Sequence, residues 1–77
     1  MASVTPQLLD CVGLLCPVPI HLLARRLTAL PTGAQVEVRC DDPTITDDLP
    51  SWSRATGHAI VAHRIDGDCH CYVVEKR

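Results

Sequence analysis

The sequence predicts an α/β (α+β) two-layer sandwich of order βαβαββ, with two helices on one face of a four-stranded mixed sheet. Two observations lead there. Two stretches with apolar residues at helical spacing flank one that alternates at period two, and the chain closes on two extended stretches meeting at Asp66-Gly67. Right-handed crossovers then place both helices on one face, and a short turn makes the last two strands antiparallel neighbours. The whole chain, 1–77, reads as one domain, because a unit of 77 residues buries only about 60% of its unfolded surface and has nothing left for a second core.

The first strand is read at Gln7 to Asp10, a short apolar stretch ending in an acid, and Cys11 to Leu15 with Gly13 inside it reads as a turn. From Pro17 onward Ile20, Leu23, Leu27 and Leu30 form an apolar stripe while His21, Arg25 and Thr28 fall on other faces, and Pro31 and Gly33 end the helix. Val36, Val38 and Cys40 alternate with Gln35, Glu37 and Arg39, the pattern of a strand with one buried face. Asp42-Pro43 opens the second helix, with Asp42 as cap, Pro43 in the first turn and Ile45, Leu49, Trp52 and Thr56 as its stripe. Pro50 lacks the N–H that would reach the Thr46 carbonyl and is expected to bend or restart that helix. Gly57 ends it.

Ala59 to Ile65 and Asp68 to Glu75 flank the Asp66-Gly67 turn. That turn sets Arg64 opposite Cys69, His63 opposite His70, Ala62 opposite Cys71 and Ile60 opposite Val73, with Ile60, Ala62, Cys71 and Val73 as the buried side.

An apolar share of 47% with a net charge of −2 describes a folded globular chain. Trp52 and Tyr72 are its aromatics and basic residues are not in excess, which argues against direct nucleic-acid binding. Met1 to Leu9 carries neither the basic stretch nor the apolar run of an export signal, and no segment approaches the roughly 20 apolar residues of a membrane span. The expected location is the cytoplasm, where five cysteines stay thiols unless chemistry uses them.

Cys16 draws the chemical reading. It precedes a helix N-terminus, where free N–H groups and the helix dipole favour a thiolate. Pro17 is preset for the first helical position, Pro19 falls where N–H groups lack helical partners, and the N–H of Val18 is left to approach the sulfur. Read locally, Cys16 is either a nucleophile presented on a stiff pedestal or a buried structural cysteine.

Leu9-Asp10, Gly13-Leu14, Cys16-Pro17-Val18-Pro19, Asp41-Asp42-Pro43, Asp47 with Pro50-Ser51-Trp52, and Gly57-His58 together resemble the TusA/SirA family of sulfur-carrier proteins. The resemblance runs from about Leu9 to Lys76, with the motifs in the family's order and spacing. It implies that Cys16, supported by Gly13, Pro17 and Pro19, receives sulfane sulfur as a persulfide and passes it on. A cysteine desulfurase or a rhodanese-like protein would be the donor. Acceptors would lie in tRNA thiolation, molybdenum-cofactor enzymes or dissimilatory sulfur metabolism. Arg25 and Arg26 would offer a basic rim to acidic partner surfaces, or form an ordinary solvated face. The chain is expected to work as a monomer, and no cofactor is needed because the thiol is regenerated in each cycle.

The other candidates keep structural readings beside functional ones. Cys11 could be a resolving thiol, half of a disulfide, a metal ligand or a loop thiol without a role, while Cys40 continues the apolar alternation and reads as core. Cys69-His70-Cys71 invites a metal reading, but a closed site needs four ligands and the third and fourth are not apparent, so no metal is expected. His63 and His70 could also bind a transition metal or form a solvated polar face. Asp41 and Asp42 cap and charge the start of the second helix first and serve partner recognition second. His58 reads as a local hydrogen-bonding residue, and Ser53 stands where some of the family carry a second cysteine. The rival functions are a redox or regulatory module using Cys11 and Cys16, and a small metal-binding protein using Cys69, Cys71 and a histidine.

Overall fold

Strand β1 (Gln7–Asp10), helix α1 (Val18–Thr28), strand β2 (Gln35–Cys40), helix α2 (Ile45–Thr56) and strands β3 (Ala59–Asp66) and β4 (Cys69–Glu75) follow in the expected βαβαββ order, in a computed structural model that describes residues 6–77. The sheet runs β1-β2-β4-β3, with β1 parallel to β2 and β4 antiparallel to both β2 and β3. Only β4 therefore runs against the other three. The C-terminal ends of β1 and β2 and the N-termini of both helices gather at one end of the sheet, which is where β–α loops concentrate functional groups in such folds.

The apolar stripes of both helices meet the same sheet face. Ile20, Leu23 and Leu27 of α1 and Ile45 and Leu49 of α2 pack with Leu9, Val36, Val38, Tyr72 and Val74, and Leu30, Trp52 and Ile60 flank this core. Complete burial of each Leu or Ile stabilises by about 1.5–3 kcal/mol before the entropy of ordering is counted, so these residues fix the helices to the sheet. Gly57 closes α2 at φ 85°, its N–H bonded to the Ser53 carbonyl at 2.9 Å. That left-handed conformation costs a residue with a Cβ about 1–2 kcal/mol, which is why glycine ends the helix here.

Four expectations are corrected. The hairpin loop is Gly67-Asp68, because Asp66 pairs with Cys69. Gly67 has φ 62° and, among the described residues, no non-glycine residue has a positive φ, which matches a turn that wants glycine at its first central position. Sliding the loop by one residue moves the partners by two: Arg64 faces Cys71, Ile65 faces His70, His63 faces Tyr72 and Ala62 faces Val73. His63 stacks on Tyr72 with ring centroids 4.1 Å apart.

The buried side of the hairpin also differs. Val36 pairs with Val74 and Val38 with Tyr72, so β4 gives the core Tyr72 and Val74, while Ala62 and Val73 lie on the open face. Apolar residues at consecutive positions of β4 remove the alternation that would have decided its face. Ile60 still reaches the core, because a bulge between Ile60 and Ala62 shifts the register and pairs Ile60 with Val74. Cys71 is buried from the open side, where its strand neighbours are Arg39 and Arg64.

Helix α2 begins later than Asp42-Pro43 suggests. Thr44 takes the cap position and Ile45 starts the helix, while the Asp42 carboxylate accepts the Thr44 N–H at 3.0 Å and the Thr44 hydroxyl at 2.9 Å across a short turn. Pro50 does not restart α2, which runs through it to Thr56.

Candidate functional site at the cysteine loop

The loop from Cys11 to Pro17 leaves the C-terminal end of β1 and enters α1. The Cys11 N–H extends the sheet ladder by donating to the Arg39 carbonyl at 2.8 Å. Asp10 Oδ1 then accepts the Val12 N–H at 3.1 Å, Asp41 Oδ1 the Gly13 N–H at 3.0 Å, and Asp42 Oδ2 the Cys16 N–H at 2.9 Å. The Cys11 carbonyl accepts the Leu14 N–H at 3.1 Å. Three carboxylates at the ends of two neighbouring parallel strands thus hold a loop that has no secondary structure of its own. Gly13 sits at φ 88°, the left-handed region that lets its N–H turn toward Asp41.

Charge follows this geometry. The Cys16 N–H, with the Thr44 N–H and hydroxyl behind it, holds the Asp42 carboxyl below its ordinary range, because donors aimed at the oxygens favour the charged form. Burial raises the Cys11 thiol above its ordinary range, with Asp10 adding to it, and burial likewise raises Cys40. Both sulfurs are excluded from solvent, whereas Cys16 is partly exposed.

The helix start departs from the expected arrangement. Pro17 occupies the cap, following a cis Cys16-Pro17 peptide, and Val18 is the first residue of α1. The Val18 N–H is not left for the sulfur: it donates to the Leu15 carbonyl at 3.0 Å. Pro19 has no N–H, and those of Ile20 and His21 both donate to the Pro17 carbonyl at 3.1 Å. The first turn therefore presents the sulfur with no uncommitted donor. Pro19 is buried and anchors the turn in the core.

The surface beside Cys16 is apolar. Leu15 is 73% exposed, and Val12 and Val18 are also open to solvent, so three aliphatic side chains flank the partly exposed thiol. His21 and Arg25 continue outward along α1 from Val18. Arg26 turns the other way and donates to Gln7 Oε1 at 3.2 Å, which ties it to β1 and separates it from the exposed Arg25. An open cleft lined by Asp41, Pro43, Gly67, Asp68 and His70 lies on the hairpin side of the loop, with His70 Nδ1 unpartnered beside it.

The remaining cysteines lie elsewhere. Cys69 and Cys71 project from the open face, where Cys71 and then Cys69 raise the proton affinity of the neighbouring Arg39 guanidinium. Among the described residues no three His, Cys, Asp or Glu side chains converge in a metal-binding arrangement. His58 lies on the far side of α2, packed 5.5 Å from Trp52, with its Nδ1 accepting the Arg77 N–H at 3.1 Å and its carbonyl accepting the Ser53 hydroxyl. Sequence reasoning missed Asp10 as a loop anchor and gave Asp41 and Asp42 to the helix. The available signal was three acids placed at or just past the ends of two neighbouring strands.

The described residues form a small α/β sandwich that presents one partly exposed cysteine, Cys16, on the loop into its first helix, with exposed apolar residues beside it in the chain. The chain belongs to the TusA family of sulfur carriers: the family model described as Sulfurtransferase TusA matches residues 7–76. It is 33% identical over 69 residues to the sulfur carrier protein TusA of Pseudomonas syringae pv. syringae, covering 90% of this chain and 82% of that protein. The TusA of Pseudomonas savastanoi pv. phaseolicola is 32% identical with the same coverage. In fold the chain is similar to the crystal structure of a SirA-like protein from Desulfitobacterium hafniense, with a TM-score of 0.77 over 88% of this chain and 93% of that one at 20% identity. Among the described residues no helix is long and apolar enough to cross a membrane.

Proposed function

We propose that this protein is a relay-type sulfurtransferase in which the Cys16 thiolate attacks the terminal sulfur of a donor persulfide. The donor leaves as a thiolate, and Cys16 holds the sulfur until an acceptor's thiolate takes it. The observation that carries this reading is the contrast among the thiols: Cys16 is partly exposed on a loop held by Asp41 and Asp42, while Cys11 and Cys40 are buried beneath it. Gly13, Pro17 and Pro19 support the cysteine by shaping the loop and the first turn. Asp41 and Asp42 act on it through the loop N–H groups.

Recognition falls to the surface around the thiol. Val12, Leu15 and Val18 supply apolar contact, and the exposed Arg25 supplies charge for an acidic rim on the partner. The donor is a protein persulfide, of the cysteine desulfurase or rhodanese-like kind, and the acceptor is a second protein. The chain serves as one domain, a monomer of the cytoplasm, cycling between the two without a cofactor.

Incubation with a cysteine desulfurase and ³⁵S-labelled cysteine tests this reading. Label should join the protein in a form that thiol reductants remove, and Cys16→Ser should take up none. Uptake undiminished in Cys16→Ser would end it. A redox module built on Cys11 and Cys16 makes the opposite forecast for Cys11→Ser, which the carrier tolerates and the module does not.

A further inference from the structure

Beneath Cys16 lie two thiols that the carrier cycle does not use. Asp10 pairs with Arg39 in the parallel β1–β2 ladder, and the Cys11 N–H continues it to the Arg39 carbonyl, so the next residues along, Cys11 and Cys40, stand side by side. Both are 0% exposed, both belong to the core cluster on the helix side of the sheet, and Cys16 packs against that cluster. Neighbouring strands run about 4.8 Å apart, inside the roughly 4.4–6.8 Å Cα separation that a disulfide accepts. The three sulfurs are also close enough for charge on Cys16 to raise the proton affinity of both buried thiols.

We propose that Cys11 and Cys40 form an internal dithiol that reduces the sulfane sulfur held on Cys16 and releases it as hydrogen sulfide when no acceptor protein takes it. The inference rests on Cys16 as the persulfide site. In the first step the Cys11 thiolate attacks the inner sulfur of the Cys16 persulfide. The persulfide S–S bond breaks, HS⁻ leaves, and a Cys11–Cys16 disulfide forms. In the second the Cys40 thiolate attacks the Cys11 sulfur, which frees Cys16 and leaves a Cys11–Cys40 disulfide. Two thiols lose two electrons and the sulfane sulfur gains them. The Cys11 proton completes hydrogen sulfide, and the Cys40 proton returns to Cys16. The discharge is a single turnover until an external dithiol reductant reopens the disulfide. Burial keeps both thiols largely protonated, with Asp10 adding to it and Arg26 opposing it at Cys11 and the Asp42 N–H opposing it at Cys40, which makes the discharge slow and leaves the cargo time to be handed on.

The test loads Cys16 chemically, so a protein donor's failure to charge it bears on the carrier reading alone. In a Cys69→Ser background, Cys16 is blocked as a mixed disulfide with thionitrobenzoate, converted to the persulfide with sulfide and desalted. The expected result is release of one equivalent of sulfide and a protein two hydrogens lighter than its fully reduced form, with fragments joined through Cys11 and Cys40. Displacement of thionitrobenzoate by the buried pair before sulfide is added, leaving the same disulfide, counts equally for it. Cys11→Ala should hold the persulfide at least about tenfold longer, because the attacking thiol is gone. Cys40→Ala should release sulfide but stop at the Cys11–Cys16 disulfide. A persulfide as long-lived in the parent as in Cys11→Ala, or sulfide lost with no disulfide at Cys11, would overturn the proposal.

Discussion

Asp42 holds two segments with one carboxylate: Oδ2 takes the Cys16 N–H, while Oδ1 takes the N–H and hydroxyl of Thr44. Those donors hold its folded-state pKa below the ordinary value of 3.8. The tie is therefore fully present above that value and is lost as pH falls through the lower, folded one. The Cys16 amide resonance should titrate with a midpoint below 3.8, and a midpoint at or above it would contradict the tie. Asp42→Ala should speed hydrogen exchange at the Cys16 amide, whereas unchanged exchange would show that the carboxylate does not hold the loop. Read locally, Cys16 stood between a presented nucleophile and a buried structural cysteine; the structure leaves it partly exposed before α1. Its anchors were not legible in the sequence: Cys16 and Asp42 are 26 residues apart and meet only once β1 and β2 lie in parallel register. The commitment of the Val18 N–H to Leu15 was equally hidden, since it depends on the path of the loop and not on residue types.

Among the elements, the helices and β2 could be read from spacing because each has one apolar stripe. Leu23, wholly buried between α1 and the sheet, should cost about 2–5 kcal/mol when replaced by alanine, measured by denaturant unfolding. A loss well under 1 kcal/mol would mean that α1 does not dock as described. Gly57→Ala should cost about 1–2 kcal/mol through its positive φ alone, since nothing crowds a Cβ there. The hairpin resisted reading for two reasons. Cys71, Tyr72, Val73 and Val74 are apolar on both faces of β4, and the bulge between Ile60 and Ala62 reverses the alternation within β3. Asp66-Gly67 pointed to the right place but to the wrong pair, because the turn puts Gly67 at its first central position.

For the whole molecule, topology decides what the thiols can do. Parallel pairing of β1 and β2 brings Cys11, Cys40, Asp41 and Asp42 to the end of the sheet where α1 starts, while Cys69 and Cys71 stay on the open face. The exposed apolar residues near Cys16 allow docking to be tested apart from chemistry. Leu15→Glu should leave the thermal midpoint and chemical persulfidation unchanged while cutting donor-dependent sulfur loading several-fold, because a charge replaces apolar contact area. Equal loading by the donor would remove Leu15 from the docking surface. The most direct measurement is a site-resolved mass map of all five cysteines after charging by a protein persulfide donor. One added sulfur on Cys16, with Cys69 and Cys71 unmodified and no addition at all in Cys16→Ser, is the expected result. Sulfur found on Cys69 or Cys71, or retained by Cys16→Ser, would contradict the assignment of Cys16 as the carrier.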